Sequence, residues 1–169
     1  MFGLPETFLE LWFVEDFIAA YNWVWPLCEI LHFIGLIFLV GIVTIFDLRL
    51  LGVAKSMPIK PLRQLMPWAV FGFGLCVFTG LVFVTGLWAN VKTHPIEALV
   101  VDHYLQLKLI FIALAGVNLL AFYKSGISEA IDAVGPGEDA PPQAKFIATA
   151  SLVLWVGVVY WGRLVPWGL

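Results

Sequence analysis

Two histidines carry the chemistry that this sequence offers. His32 lies six residues inside Pro26, in an apolar run from Pro26 to Leu51 long enough to cross a bilayer. His103 lies in a later run, at a matching depth, and both runs should cross in the same direction. Imidazoles are rare in hydrocarbon, and one found there marks a functional site by default. Two at one level point to a single bound object: a haem iron first, another metal ion next. A bis-histidine b-type haem needs imidazoles from different helices, a flat slot, and counter-charges for two propionates. Gly35 is three residues after His32 on the same helical face and leaves room for a porphyrin. Arg163 and Lys92 are cations suited to the propionates, and Trp88, Trp161 and Trp167 would roof the site.

Other residues near His32 keep different chemistries open. Glu29 and His32 form an ExxH, the spacing that puts two ligands on one helix face in di-iron bundles. Those bundles need two such motifs and two further carboxylates, and this chain has one copy. Cys28 is four residues before His32, and Cys28, Glu29, His32, His94 and His103 all lie toward one side of the membrane. Thiolate and imidazole suit copper, although a lone cysteine in a helix is more often a small buried hydrophobe. His94 precedes Pro95 in a loop and is the alternative ligand if His103 points away. Lys108 lies deep in the third run, where an unpaired lysine costs on the order of 3 kcal/mol on insertion scales. It is five residues past His103, so the two side chains point about 140° apart. Lys108 is read either as a proton or quinone-headgroup contact or as a structural cation, with Glu29 as a candidate partner.

Composition frames these residues. The chain of 169 residues is 62% hydrophobic and only 12% charged, with a net charge of −3; its mean hydropathy is +0.96. These values describe an integral membrane protein of about four spans of ~20 residues and argue against nucleic acid as a partner. Cys28 and Cys76 form no CxxC pair, so neither a disulfide framework nor a zinc site is indicated. There is no nucleophile–base–acid arrangement and no phosphate-binding glycine loop, so neither a hydrolase nor an NTPase is expected.

The elements that position the histidines follow from the pattern of apolar runs. Residues 5–22 are aromatic and acidic, too charged to span, and read as an amphipathic helix lying at the interface. They carry no basic n-region, so no cleavable signal peptide is expected. The predicted organisation is an interfacial helix over 1–23 and a four-helix membrane bundle over 24–165, with spans about 26–48, 67–88, 101–123 and 145–163. The Gly, Pro and acid-rich segment 125–144 reads as a solvent loop with a short helix at 127–133. Asp47 and Arg49 end the first span, with Asp47 expected to pair with Arg49 or Arg63, and Asn118 is expected to bond between helices. Arg49, Lys55, Lys60 and Arg63 crowd the first loop, which the positive-inside rule makes cytoplasmic. Both termini then face outward, into a bacterial periplasm, and His32 and His103 sit in the outer leaflet.

Several stretches together resemble a family. LHFIGLIFLVGIVTIFDLRLLG in the first span, LRQLMPWAVFGF, LQLKLIFIALAGVN and the closing WGRL are similar to a group of small bacterial inner-membrane proteins of four helices. That group is loosely similar to CopD-type and membrane b-type cytochrome bundles. The resemblance covers most of residues 24–165. It is carried by His32 with Asp47 to Gly52, by Lys108 with Asn118, and by Gly162-Arg163. It implies a four-helix bundle with a site near His32, keeps copper open, and brings no settled activity. The expected function is electron transfer through one haem b ligated by His32 and His103, between the quinone pool and a periplasmic or membrane redox partner. The alternatives are a copper-binding or copper-transporting protein, and a non-catalytic subunit held in a homo-oligomer or larger complex.

Overall fold

The computed structural model describes residues 12–86 and 95–168. Long runs without charge leave the backbone no partner in hydrocarbon except itself, so they become helices. In chain order these are α1 (Trp12–Ala20), α2 (Val24–Leu51), α3 (Ile59–Gln64), α4 (Met66–Thr85), α5 (Pro95–Val101), α6 (His103–Lys124), α7 (Ile127–Asp132) and α8 (Pro142–Leu164), closed by a 3₁₀ turn at Val165–Trp167. No strand occurs among the described residues. Four helices, α2, α3 with α4, α6, and α8 with its turn, are long and apolar enough to cross a membrane. The protein is therefore an all-α, multi-pass membrane bundle. Its large apolar side chains face outward, as with Phe33, Ile37, Val70 and Phe146. In water such a surface would drive association; against lipid tails it is the expected exterior. Of the interfacial helix, the described part is α1, whose Ile18 packs with Val24 and Cys28. Residues 1–11 lie outside the described residues.

The spans lie side by side in the order α4, α2, α8, α6. The α2–α4 pair is the tightest, because it crosses on small residues. A Cβ built on Gly35 would stand 2.7 Å from Cys76 Sγ and 2.8 Å from the Gly72 carbonyl oxygen. The second intimate pair is α6 with α8, where Asn118 Nδ2 donates to the Ile147 carbonyl at 3.1 Å. This is the interhelical bond expected of Asn118. α2 joins α8, whereas no contact of comparable extent joins α4 to α6. The row of four is open on that side.

The end carrying Arg49 is closed by polar contacts over an apolar plug of Phe46, Leu50, Ile59, Leu62, Phe122, Ile131 and the alanines of α8. α2 stops at Gly52, whose φ of 95° is left-handed, and whose amide returns to the Arg49 carbonyl. Arg49 is fully buried. Its Nε donates to Met57 O at 2.6 Å, Nη2 to Gly135 O at 3.0 Å and Nη1 to Glu138 O at 3.4 Å. Arg63 bonds Asp132 and Ser128 on α7. Asp47 pairs with neither arginine, contrary to expectation. Backbone carbonyls take Arg49, Asp132 and Ser128 of α7 take Arg63, and one oxygen of the buried Asp47 carboxyl has no partner. Asp139 bridges Lys145 at 2.7 Å and Lys55 at 2.6 Å, tying the two loops together.

At the other end the third span is interrupted. Asp102 leaves the helix with an extended backbone and caps α6, its Oδ1 accepting from the Tyr104 and Leu105 amides at 2.8 and 3.1 Å. Gln106 Nε2 meanwhile takes the last carbonyls of α5, Leu99 O at 3.1 Å and Val100 O at 2.7 Å.

Two outcomes follow for stability. Lysine cannot reach three diverging carbonyls from one nitrogen, so Arg49→Lys leaves buried acceptors unmade and should cost about 2 kcal/mol or more. Thermal unfolding in detergent measures this, and a change below about 0.5 kcal/mol refutes the clamp. Hydrogen bonds from Lys145 and Lys55 hold the Asp139 carboxyl down at about 2. A depressed carboxylate stabilises the fold above its unfolded value near 4, and that contribution disappears as pH falls from about 4 to 2. The stability difference between wild type and Asp139→Asn should therefore shrink over that window and be flat above pH 5.

Candidate functional site

The site is built on the small-residue face of α4. Gly72, Cys76 and Thr79 recur at four and three residues, one face of a helix, and this face meets α2. One turn above the Gly35 crossing, His32 Nδ1 lies 2.7 Å from Thr79 Oγ1. Thr79 is fully buried, and its hydroxyl donates back to the Leu75 carbonyl at 2.7 Å. With its hydroxyl hydrogen given to Leu75 O, Thr79 would be the acceptor and His32 Nδ1 the protonated nitrogen, with Nε2 the bare one. Phe83 flanks the ring at 5.5 Å between centroids, and Cys76 Sγ donates to His32 O at 3.5 Å.

The third member is Lys108 on α6. The stem lies along Gly162 of α8: a Cβ there would stand 3.4 Å from Lys108 Cδ and 3.6 Å from Nζ. Gly162 makes the slot that the lysine occupies. No carboxylate forms an ion pair with Lys108 among the described residues. Glu29, the expected partner, is exposed and accepts instead from Trp25 Nε1 at 3.1 Å.

The remaining expected residues are placed as follows. His103 is exposed, the first residue of α6 beyond the Asp102 cap, and is about 7.5 Å of helix rise before Lys108. Among the described residues it makes no contact with His32. The space left by Gly35 is filled by Cys76 and Gly72 of α4, so no open slot lies there. Cys28 is buried among Ile18, Val24 and Phe83, a small hydrophobe in an apolar cluster. The Arg163 guanidinium sits 4.6 Å above the Trp167 ring, while Trp161 stacks on Tyr104 at 6.2 Å. His94, Lys92 and Trp88 lie outside the described residues. No group of three His, Cys, Asp or Glu able to hold a metal occurs among the described residues.

Thr79 and Cys76 are the residues that sequence reasoning missed; Gly162 was singled out with Arg163, but not as the seat of Lys108. The signal was present: the Gly72–Cys76–Thr79 stripe marks the face of α4 that admits another helix, and His32 sits a turn from the matching Gly35. Chemically, the cluster offers an imidazole anchored through Nδ1 and a lysine amine held against a glycine, both on membrane-spanning helices. The first is suited to ligate a metal or accept a proton, and the second to meet an anion.

The tautomer is directly measurable. Nitrogen NMR of histidine-labelled protein should show His32 protonated on Nδ1 and bare on Nε2. Thr79→Val should erase that preference and cost about 1 kcal/mol for the lost bond; a wild-type signal protonated on Nε2 would contradict the arrangement. Searches of family models, curated proteins and solved structures find no match to this chain.

Proposed function

We propose that this protein carries electrons in a bacterial inner membrane, with a haem b iron ligated by His32 Nε2. The observation that carries the proposal is the Thr79 contact. Metal-bound histidines characteristically donate their second nitrogen to a fixed acceptor, which sets tautomer and ring orientation. His32 has that anchor, and its free nitrogen is the one that would face a ligand. His103, exposed at the helix break after Asp102, would be the second histidine to hold the haem in this reading. Lys108, seated against Gly162, and Arg163, the next residue along α8, would be the cations for the propionates. Gly35 has no part in the slot, since α4 fills its space. The bound haem would supply reversible one-electron chemistry, between the quinone pool and a periplasmic or membrane partner. Arg49, Lys55, Lys60 and Arg63 make their end cytoplasmic, so both termini and His32 lie on the periplasmic side.

An absorption spectrum tests this. Protein from haem-replete cells should show a Soret band and a b-type α-band on reduction, both lost in His32→Ala. Thr79→Val should keep the band and shift the potential. Absence of any Soret band sinks the proposal. Copper is the second reading, favoured by the Cys76 thiol beside the His32 backbone. It expects bound copper without a Soret band, lost in Cys76→Ser and retained in Cys28→Ser.

A further inference from the structure

A cavity of about 300 Å³ lies among all four spans at the Arg49 end, remote from His32. Most of its wall is apolar, and it reaches the open side of the bundle, where Val70 and Phe73 of α4 face Gly116 and Leu119 of α6. Its polar end is Asp47. That carboxyl is 5% exposed, and its Oδ2 has no hydrogen-bond partner. Ser151 of α8 lies on the same wall as the carboxyl. Asn118 lines the same space; one of its two amide hydrogens goes to the Ile147 carbonyl, and its side-chain oxygen is an acceptor. A buried acceptor without a donor is costly, and no side chain among the described residues supplies one to Oδ2. The complementary ligand is therefore a hydrogen-bond donor. Arg63 on the wall is already paired with Asp132, and a neutral hydroxyl supplies a donor to Oδ2 without bringing another charge into a mostly apolar cavity. The lipid-facing mouth calls for an apolar tail.

We propose that this cavity binds a neutral, long-tailed hydroquinone-class amphiphile, its hydroxyl on Asp47 and its tail leaving between α4 and α6 into the bilayer. It deepens the quinone link in the function proposed above, yet stands on Asp47 and the open side rather than on His32. The test uses the full chain in nanodiscs and two probes, a decyl-substituted hydroquinone and its dimethyl ether, which keeps the tail and removes both donors. Calorimetry should show the hydroquinone binding at least about tenfold more tightly than the ether, the loss expected for one hydrogen bond to a carboxylate. Asp47→Leu should bring the hydroquinone down to the level of the ether. Gly116→Phe should block both probes, and a Cβ at Gly116 meets nothing within 4 Å; thermal unfolding in detergent checks that the variant is folded. Equal binding of the two probes to wild type, or hydroquinone binding undiminished by Gly116→Phe, overturns the proposal. So does a wild-type dimer that binds neither probe and is split by Gly116→Phe, because a second copy then fills the opening. A missing Soret band in samples that still bind hydroquinone removes only the haem.

Discussion

Arg49 is the constraint on which the rest of the bundle hangs. A guanidinium with no exposure at the end of a membrane helix is stable only if its donors are met, and here three backbone carbonyls from two different loops meet them. The charge also lies in the last turn of α2, where the helix carbonyls favour a cation. By gathering the loop after α2 and the loop before α8 onto one side chain, Arg49 makes those two helices neighbours. That adjacency brings Ser151 to Asp47 and encloses the cavity beside them. It also consumes the partner that Asp47 would otherwise have had.

The polar groups inside the bundle fall into two sets at different depths, and different helix pairs hold each. Toward the other end, His32, Thr79 and Cys76 belong to the α2–α4 crossing, with Lys108 and Gly162 contributed by α6 and α8. Toward the Arg49 end, Asp47 faces Ser151 and Asn118. Between them the helices meet mainly through apolar and aromatic contacts, such as Phe111 against Trp161 and against the backbone at Gly157. The two sets are chemically distinct: one offers an imidazole and a lysine amine, the other carboxylate and amide oxygens.

What was legible in the sequence is whatever hydrocarbon enforces. The four spans, the short helix within 125–144 and the cross-helix bond of Asn118 follow from apolar length, loop composition and the cost of an unmet amide. What was illegible involves choices among partners of similar chemistry. Asp47 had two arginines within a plausible distance, but carbonyl oxygens, present at every residue and so invisible as a pattern, claimed one of them. Gly35 on a helix face signals close approach, and the sequence does not say whether a cofactor or another helix approaches; here it is α4. Lys108 drew attention to carboxylates, while its accommodation rests on a glycine in another span, a residue that announces itself only by what it lacks. Asp102 was read as part of a continuous stretch, although an aspartate two residues before an amide it can cap is also a helix start.

The Gly35–Gly72 contact has a mechanical consequence. Backbone touching backbone allows no side-chain rearrangement to absorb relative motion, so α2 and α4 behave as one rigid plate. The α6–α8 pair, with its amide-to-carbonyl bond, forms a second. The plates meet along a single seam, α2 on α8, pinned at one end by Arg49 and the Asp139 bridges. A box hinged on one edge has one principal degree of freedom: the angle at that seam sets how wide the lipid-facing side stands open.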